Sequence, residues 1–177
     1  MELRGEKVTE EVGQTDGQLV LGPGLLAVFQ ASGTVVDTLA SNVYSKKITS
    51  GGTNVCNIIV PLNNALVRSE ASRGAKVTSV EVHYVIATQA CTACTFKLWK
   101  AAIPADGTAW TAVEVASSKD IADASCYDAD EHRVTITPTT PAFIAEDELW
   151  MAEVVLTPAN GTVLDVLGAT VNFGRAL

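Results

Sequence analysis

Lys76–Thr88 reads KVTSVEVHYVIAT, and its alternation decides the fold. Val80, Val82, Tyr84 and Ile86 fall on one face, while Ser79, Glu81 and His83 fall on the other. A period of two is the mark of a strand with one side in a core. The same period returns on both sides of this stretch. Thr95–Lys100 sets Phe96 and Leu98 against Lys97 and the amphipathic Trp99. Arg133–Thr137 turns Val134 and Ile136 inward, before Pro138 and Pro141 withhold ladder donors and stop the strand.

Further strands are predicted at about Val43–Thr49, Asn54–Val60, Trp110–Ala116, Leu149–Thr157 and Val163–Phe173. Between the last two stands Asn160-Gly161, the residue pair of a tight hairpin turn, so these strands are expected to pair as neighbours. The only helical candidates are short, at about Pro61–Arg68 and Ser117–Ala124. About eight strands with closely spaced turn signals predict an all-β fold, an antiparallel β-sandwich of jelly-roll type. An immunoglobulin-like sandwich is the alternative, but its Cys…Trp…Cys spacing is absent.

A chain of 177 residues suits one sizeable core, and 33–177 is expected to form it. Residues 1–32 differ: an acidic, Gly-rich opening leads into Leu19–Phe29, LVLGPGLLAVF. This segment is expected to be an extended N-terminal arm that docks on its own domain or on a neighbouring subunit; a first strand is the other reading. Leu19, Val20, Leu21, Leu25, Leu26, Val28 and Phe29 are its candidate partner-binding residues. The run is too short to span a bilayer and is broken by Gly22-Pro23-Gly24, so no membrane protein is expected. The charged opening Met1–Glu6 does not read as a secretion signal.

The composition is 47% hydrophobic and 18% charged with mean hydropathy +0.24, more apolar than an ordinary soluble domain. Part of the surface is therefore expected to be covered by other subunits. A net charge of −8 and a pI near 4.7 argue against nucleic acid, which demands clustered Lys and Arg. Asp120, Asp123, Asp128, Asp130, Glu131, Glu146, Asp147 and Glu148 crowd one region against Lys119 and Arg133. This is read as a solubilising rim of loops.

Cys91-Thr92-Ala93-Cys94 is a C-x-x-C, but zinc knuckles need a second pair and Cys56 and Cys126 are single and distant. A redox C-x-x-C wants a βαβ setting with its first thiol at a helix N-terminus. Here it is read as a small-residue connection between two strands, with a loop staple or a subunit contact as its possible use. Asp128-Ala129-Asp130-Glu131, followed by His132, lacks the longer EF-hand pattern and reads as a hairpin tip. Glu146-Asp147-Glu148 reads as a charged lead-in to a strand and not a catalytic pair. Ser117 and Ser118 have no suggestively placed His, and the Asn160-Gly161-Thr162 sequon reads as a turn. No catalytic, metal or cofactor-binding residue is assigned. Trp99, Trp110 and Trp150 are read first as core or interface residues and second as a sugar-stacking platform.

The runs GAKVTSVEVHYVIATQACTACTFKLWK and VTITPTTPAFIAEDELWMAEVVLTPANGTVLDVLGATVNFG, within Val43 to Phe173, resemble small β-sandwich proteins of tailed-bacteriophage virions. The similarity is to the capsid decoration (head-stabilising, cement) kind. It lies in the SVEVxY alternation, the Ala/Thr connection, the TTPAFI lead-in and the closing hairpin. The resemblance implies a non-enzymatic structural protein, a homotrimer on the capsid surface that clamps major capsid protein subunits. It is made in the host cytoplasm and carried in the virion. The arm would then add buried apolar area, at about 25 cal/mol per Å². A carbohydrate- or receptor-binding β-sandwich module, using Trp99 or Trp110, is the alternative, and an esterase- or lyase-like accessory enzyme is a third.

Overall fold

The computed structural model describes residues 16–30, 32–40, 43–53, 55–62, 75–102, 111–115, 119–120, 128–139, 142–144 and 148–175. In chain order the strands are β1 (Asp16–Leu21), β2 (Ala27–Gln30), β3 (Gly33–Ala40), β4 (Val43–Ser50), β5 (Cys56–Pro61), β6 (Ala75–Thr88) and β7 (Cys91–Ala102). They continue as β8 (Ala112–Glu114), β9 (Lys119–Asp120), β10 (Glu131–Ile136), β11 (Ala142–Phe143), β12 (Glu148–Pro158) and β13 (Val163–Arg175). A single 3-10 turn at Pro23–Leu25 joins β1 to β2. No described helix is long and apolar enough to cross a membrane.

The strands form two antiparallel sheets, and the fold is an all-β sandwich of jelly-roll type. One sheet is seven-stranded in the order β10-β6-β13-β4-β3, with β1 also on β13 and β11 on β6. The other is six-stranded in the order β2-β5-β12-β7-β8, with β9 on β7. Alternation does what the sequence says it should. Val80, Val82, Tyr84 and Ile86 of β6 are buried, and they share one core with Ile58 and Val60 of β5, Phe96 and Leu98 of β7, and Ala152, Val154 and Leu156 of β12.

Strand β13 shows how a break in alternation is used. Leu164 and Val166 are buried, then Ala169, Val171 and Phe173 are, so the inward set changes parity at Leu167-Gly168. The extra residue is a bulge against β6. It lies where β13 changes its other neighbour, from β4 up to Val166 to β1 from Ala169 onward. Gly168 has φ of 150°, and a Cβ there would stand 2.5 Å from the carbonyl oxygen of Leu21, where β1 ends.

Several expectations are corrected. Asn160-Gly161 does make a tight turn, with the Thr162 N–H donating to the Ala159 carbonyl at 3.2 Å and Gly161 at φ of 81°. It does not make a hairpin ladder: β12 and β13 lie in different sheets. Both edges of each strand are taken by others, and their apolar faces are buried against the opposite layer instead. Gly161 N–H to the Ser50 carbonyl, 3.0 Å, and Ser50 N–H to the Thr162 carbonyl, 2.9 Å, fix this crossing to β4. Gln89-Ala90, with Gln89 at φ of 52°, likewise carries β6 of one sheet into β7 of the other.

The stretch read as an arm is, from Asp16, built into both layers: β1 pairs with β13 and β2 with β5. Leu21 and Leu26 are each only 3% exposed in the common core, and Leu19 and Val28 pack against it. Val20, Leu25 and Phe29 point to solvent. The strands number thirteen among the described residues, against about eight expected; β3 at Gly33–Ala40 and the short β9 and β11 have no clear period of their own. Of the helical candidates, Pro61 closes β5 and Lys119–Asp120 is a strand, while 63–68, 117–118 and 121–124 lie outside the described residues.

Gly168→Ala is expected to lower the unfolding free energy by about 1–3 kcal/mol, the range for a residue forced into a strained backbone region. Gly22→Ala, where an added Cβ meets nothing within 4 Å, is the control and should change it little. Urea denaturation of both variants checks this.

Candidate functional site

The outer face of the six-stranded sheet is where polar and aromatic chemistry converges. On β12 the even-numbered Trp150, Ala152, Val154 and Leu156 are buried, so Met151, Glu153 and Val155 take the other side. Glu153 stands opposite Ile59 of β5 and Lys97 of β7; Met151 stands opposite Trp99, which faces Glu114 of β8 in turn. Residues directly opposite in an antiparallel pair share a side. Trp99, Lys97, Glu153, Asn57, Ile59 and Glu114 therefore form one surface, and each is half-buried.

Glu153 is its hub. The Trp99 indole N–H donates to Glu153 Oε2 at 2.8 Å, and the Asn57 amide donates to Glu153 Oε1 at 2.5 Å. One carboxylate thus orients an aromatic ring on one neighbouring strand and an amide on the other. Lys97 Nζ stands 5.4 Å from the Trp99 ring centroid, within cation–π range, and 3.8 Å from Glu114 Oε2.

The other tryptophans separate cleanly from Trp99. Trp150 is 2% exposed, and its indole N–H donates to Glu148 Oε2 at 2.8 Å. Lys100 bonds the other oxygen of Glu148, also at 2.8 Å, and its Nζ lies 5.9 Å from the Trp150 ring. Trp150 is a core residue with a satisfied N–H, unavailable to a ligand. Trp110 lies outside the described residues.

Among the acidic candidates, Asp128 and Asp130 brace the turn into β10. Asp130 Oδ1 accepts from the Glu131 N–H, and the Asp130 carbonyl accepts from the Ile86 N–H. His132, buried, bonds the Asp128 carbonyl at 2.9 Å and packs at a tilt against Tyr84, ring centroids 5.2 Å apart. Among the described residues no group of three or more His, Cys, Asp or Glu could hold a metal ion. Glu146, Asp147, Ser117 and Ser118 lie outside them.

The C-x-x-C is corrected as well. It is no loop: Cys91 opens β7, and Cys91, Cys94 and Cys56 are all thiols buried in the core. Residues three apart on a strand should point to opposite sides. A register shift between Leu156 and Pro158 of β12, which face Cys94 and Cys91, brings both inward. Burial, with the neighbouring Cys91 thiol second, pushes Cys56 up to about 12; burial, with Cys94 second, pushes Cys91 up to about 12. Neither is a nucleophile at neutral pH. Cys126 lies outside the described residues.

No family model matches this chain, and no curated protein does. Its fold is similar to solved carbohydrate-binding modules. The family 11 module from Clostridium thermocellum, in complex with a β-1,3-1,4-mixed-linked tetrasaccharide, is 8% identical with a TM-score of 0.48, over 88% of this chain and 95% of that one. TmCBM61, in complex with β-1,4-galactotriose, is 11% identical with a TM-score of 0.43, over 93% and 92%. The low-affinity xylan-binding module CBM86 from Roseburia intestinalis is 12% identical with a TM-score of 0.43, over 90% and 96%. These are likenesses of fold alone.

They overturn the capsid-decoration expectation. The solved structures named above are carbohydrate-binding modules, not decoration proteins, and the trimer clamping a major capsid protein is withdrawn with that reading. The physical reason lies in the motifs that carried it. SVEVxY and the segments after it are the alternation of half-buried strands, which any sandwich shares.

Two results are expected from the thiols. In a Cys126→Ser variant, Ellman's reagent should label none of the three remaining thiols in the native protein and all three in denaturant. Cys56 and Cys91 titrate near 9 when unfolded and near 12 when folded. The folded state therefore holds more protons between those values, and stability is lost as pH rises through that window. Urea midpoints from pH 8 to pH 11 should fall less steeply for Cys56→Ala than for the parent.

Proposed function

We propose that this protein is a non-enzymatic carbohydrate-binding module whose ligand lies on the outer face of the six-stranded sheet, over Trp99. The observation that supports this most directly is the Trp99–Glu153–Asn57 network. A pyranose presents C–H groups on its ring faces and hydroxyls around its rim. It is held by an aromatic surface with polar groups fixed beside it. Glu153 offers acceptor capacity beyond the two bonds it already takes, because an ionised carboxylate has about four lone-pair positions. Asn57 and Lys97 supply donors on either side of it.

The charges favour a neutral sugar. Glu153 and Glu114 against Lys97 leave this face slightly negative, on a chain of net charge −8. A polyanionic glycan would be repelled. Lys97, close to the Trp99 ring, swings aside or bonds a hydroxyl when a sugar stacks there; its flexible stem allows either.

Affinity electrophoresis and calorimetry against neutral plant polysaccharides test the reading. Binding should change little between low and physiological salt, since no ion pair to the ligand is formed. Trp99→Ala should weaken it by at least about tenfold, the factor set by roughly 1.4 kcal/mol, and Trp99→Phe should fall between. Absence of binding to every neutral polysaccharide tried would end the proposal.

A further inference from the structure

We infer that the site does not end at Trp99: Phe29 is a second stacking residue, and the ligand is an extended chain of several linked neutral sugars lying diagonally across the strands. This rests on reading the face as a carbohydrate site, and it adds the length and direction of that site.

The register makes the connection. Phe29 of β2 stands directly opposite Asn57 of β5. Val155 of β12 stands opposite Asn57 on its other side. Phe29 therefore shares the outer face with the Trp99–Glu153–Asn57 network and adjoins its far end. Phe29 is 61% exposed, whereas the neighbouring Val28, one position along, packs against the core. The burial of β2 does not require an aromatic at position 29. The path thus runs from Trp99 on β7, through Glu153 on β12 and Asn57 on β5, to Phe29 on β2. Ile59 and Val155 lie alongside it as a half-buried apolar floor.

The span follows from sheet geometry. Trp99 faces Met151, Met151 faces Pro61, and Pro61 is four residues along β5 from Asn57, which faces Phe29. Three strand spacings across and four residues along separate the two aromatics by roughly 20 Å. That is far more than one sugar ring covers. A β-1,4-linked chain, extended and ribbon-like, can stack on both ends while its middle hydroxyls meet Glu153 and Asn57.

The test is calorimetry with cello- and xylo-oligosaccharides of increasing length, from the monosaccharide to the hexasaccharide. For the parent protein the association constant should climb with length until both aromatics are covered. Phe29→Ala should remove the last part of that climb, lowering the constant for the hexasaccharide about tenfold and that for the disaccharide by a much smaller factor. Phe29→Trp should keep the climb. Trp99→Ala should weaken short and long sugars alike. If Phe29→Ala leaves the length dependence intact while Trp99→Ala weakens binding, the role of Phe29 is refuted and the carbohydrate reading stands. If the parent binds no oligosaccharide and no polysaccharide, both fall together.

Discussion

Strand β13 is hydrogen-bonded along both of its edges, and the seven-stranded layer depends on that double pairing. On one side it follows β6 from Val163 to Arg175; on the other it serves β4 over its first part and β1 over its second. Two strands cannot occupy one edge without a place to divide. The bulge at Leu167-Gly168 supplies it, and the close approach of the Leu21 carbonyl leaves room there only for hydrogen. The change of parity at the bulge also keeps Val166 and Ala169 both inward, so the core stays apolar through the irregularity.

A layer built this way fixes its opposite number. The inner faces of β6 and β13 are Val, Ile, Leu, Ala, Phe and Tyr, and they demand an equally apolar face across from them. Strands β5, β7 and β12 provide it through their alternate residues. Every inward residue leaves its neighbour facing out, so the positions of Asn57, Lys97, Trp99 and Glu153 follow from those of Ile58, Leu98, Ala152 and Val154. The candidate site is the reverse side of the core, aligned by the same registers.

The parts of this that were legible in the sequence are the parts governed by local period. KVTSVEVHYVIAT, TFKLWK and RVTIT state their inward sets openly, and a two-layered all-β fold follows from them. What was not legible is which strand lies beside which. Asn160-Gly161 signals a tight turn whether the chain returns along the same sheet or crosses to the other. That choice depends on edges occupied by residues more than sixty positions away, such as Thr88 and Lys76 of β6 along β13. The segment from Asp16 to Gln30 hid its strands for a related reason. The Gly22-Pro23-Gly24 interruption splits it between two layers, so neither half is long enough to show a period. Trp99 was visible as an amphipathic residue in a strand. Its connection to Glu153 and Asn57 was not, since the three come from β7, β12 and β5 and only the pairing brings them together.

That origin on three different strands bears on what the face can do. A site carried on loops must lose conformational freedom when it takes a ligand, at about 0.5–1.5 kcal/mol for each rotamer-rich side chain immobilised. Here the backbone positions are held by ladders on both sides of β12 and on both sides of β5. Glu153, held by Trp99 from one direction and Asn57 from the other, has its rotamer fixed before any ligand arrives. Lys97 is held by longer contacts, its Nζ 5.4 Å from the Trp99 ring centroid and 3.8 Å from Glu114 Oε2. A face that is rigid at its hub and adjustable at one lysine suits a ligand whose shape repeats while its rim hydroxyls vary in orientation. That description fits a polysaccharide better than it fits a compact small molecule, which would need a concave pocket to bury most of its surface. A sheet face without such a pocket gains comparable contact area only by engaging a chain along its length, so under the proposed reading the separation of Trp99 from Phe29 would count for more than the depth of either.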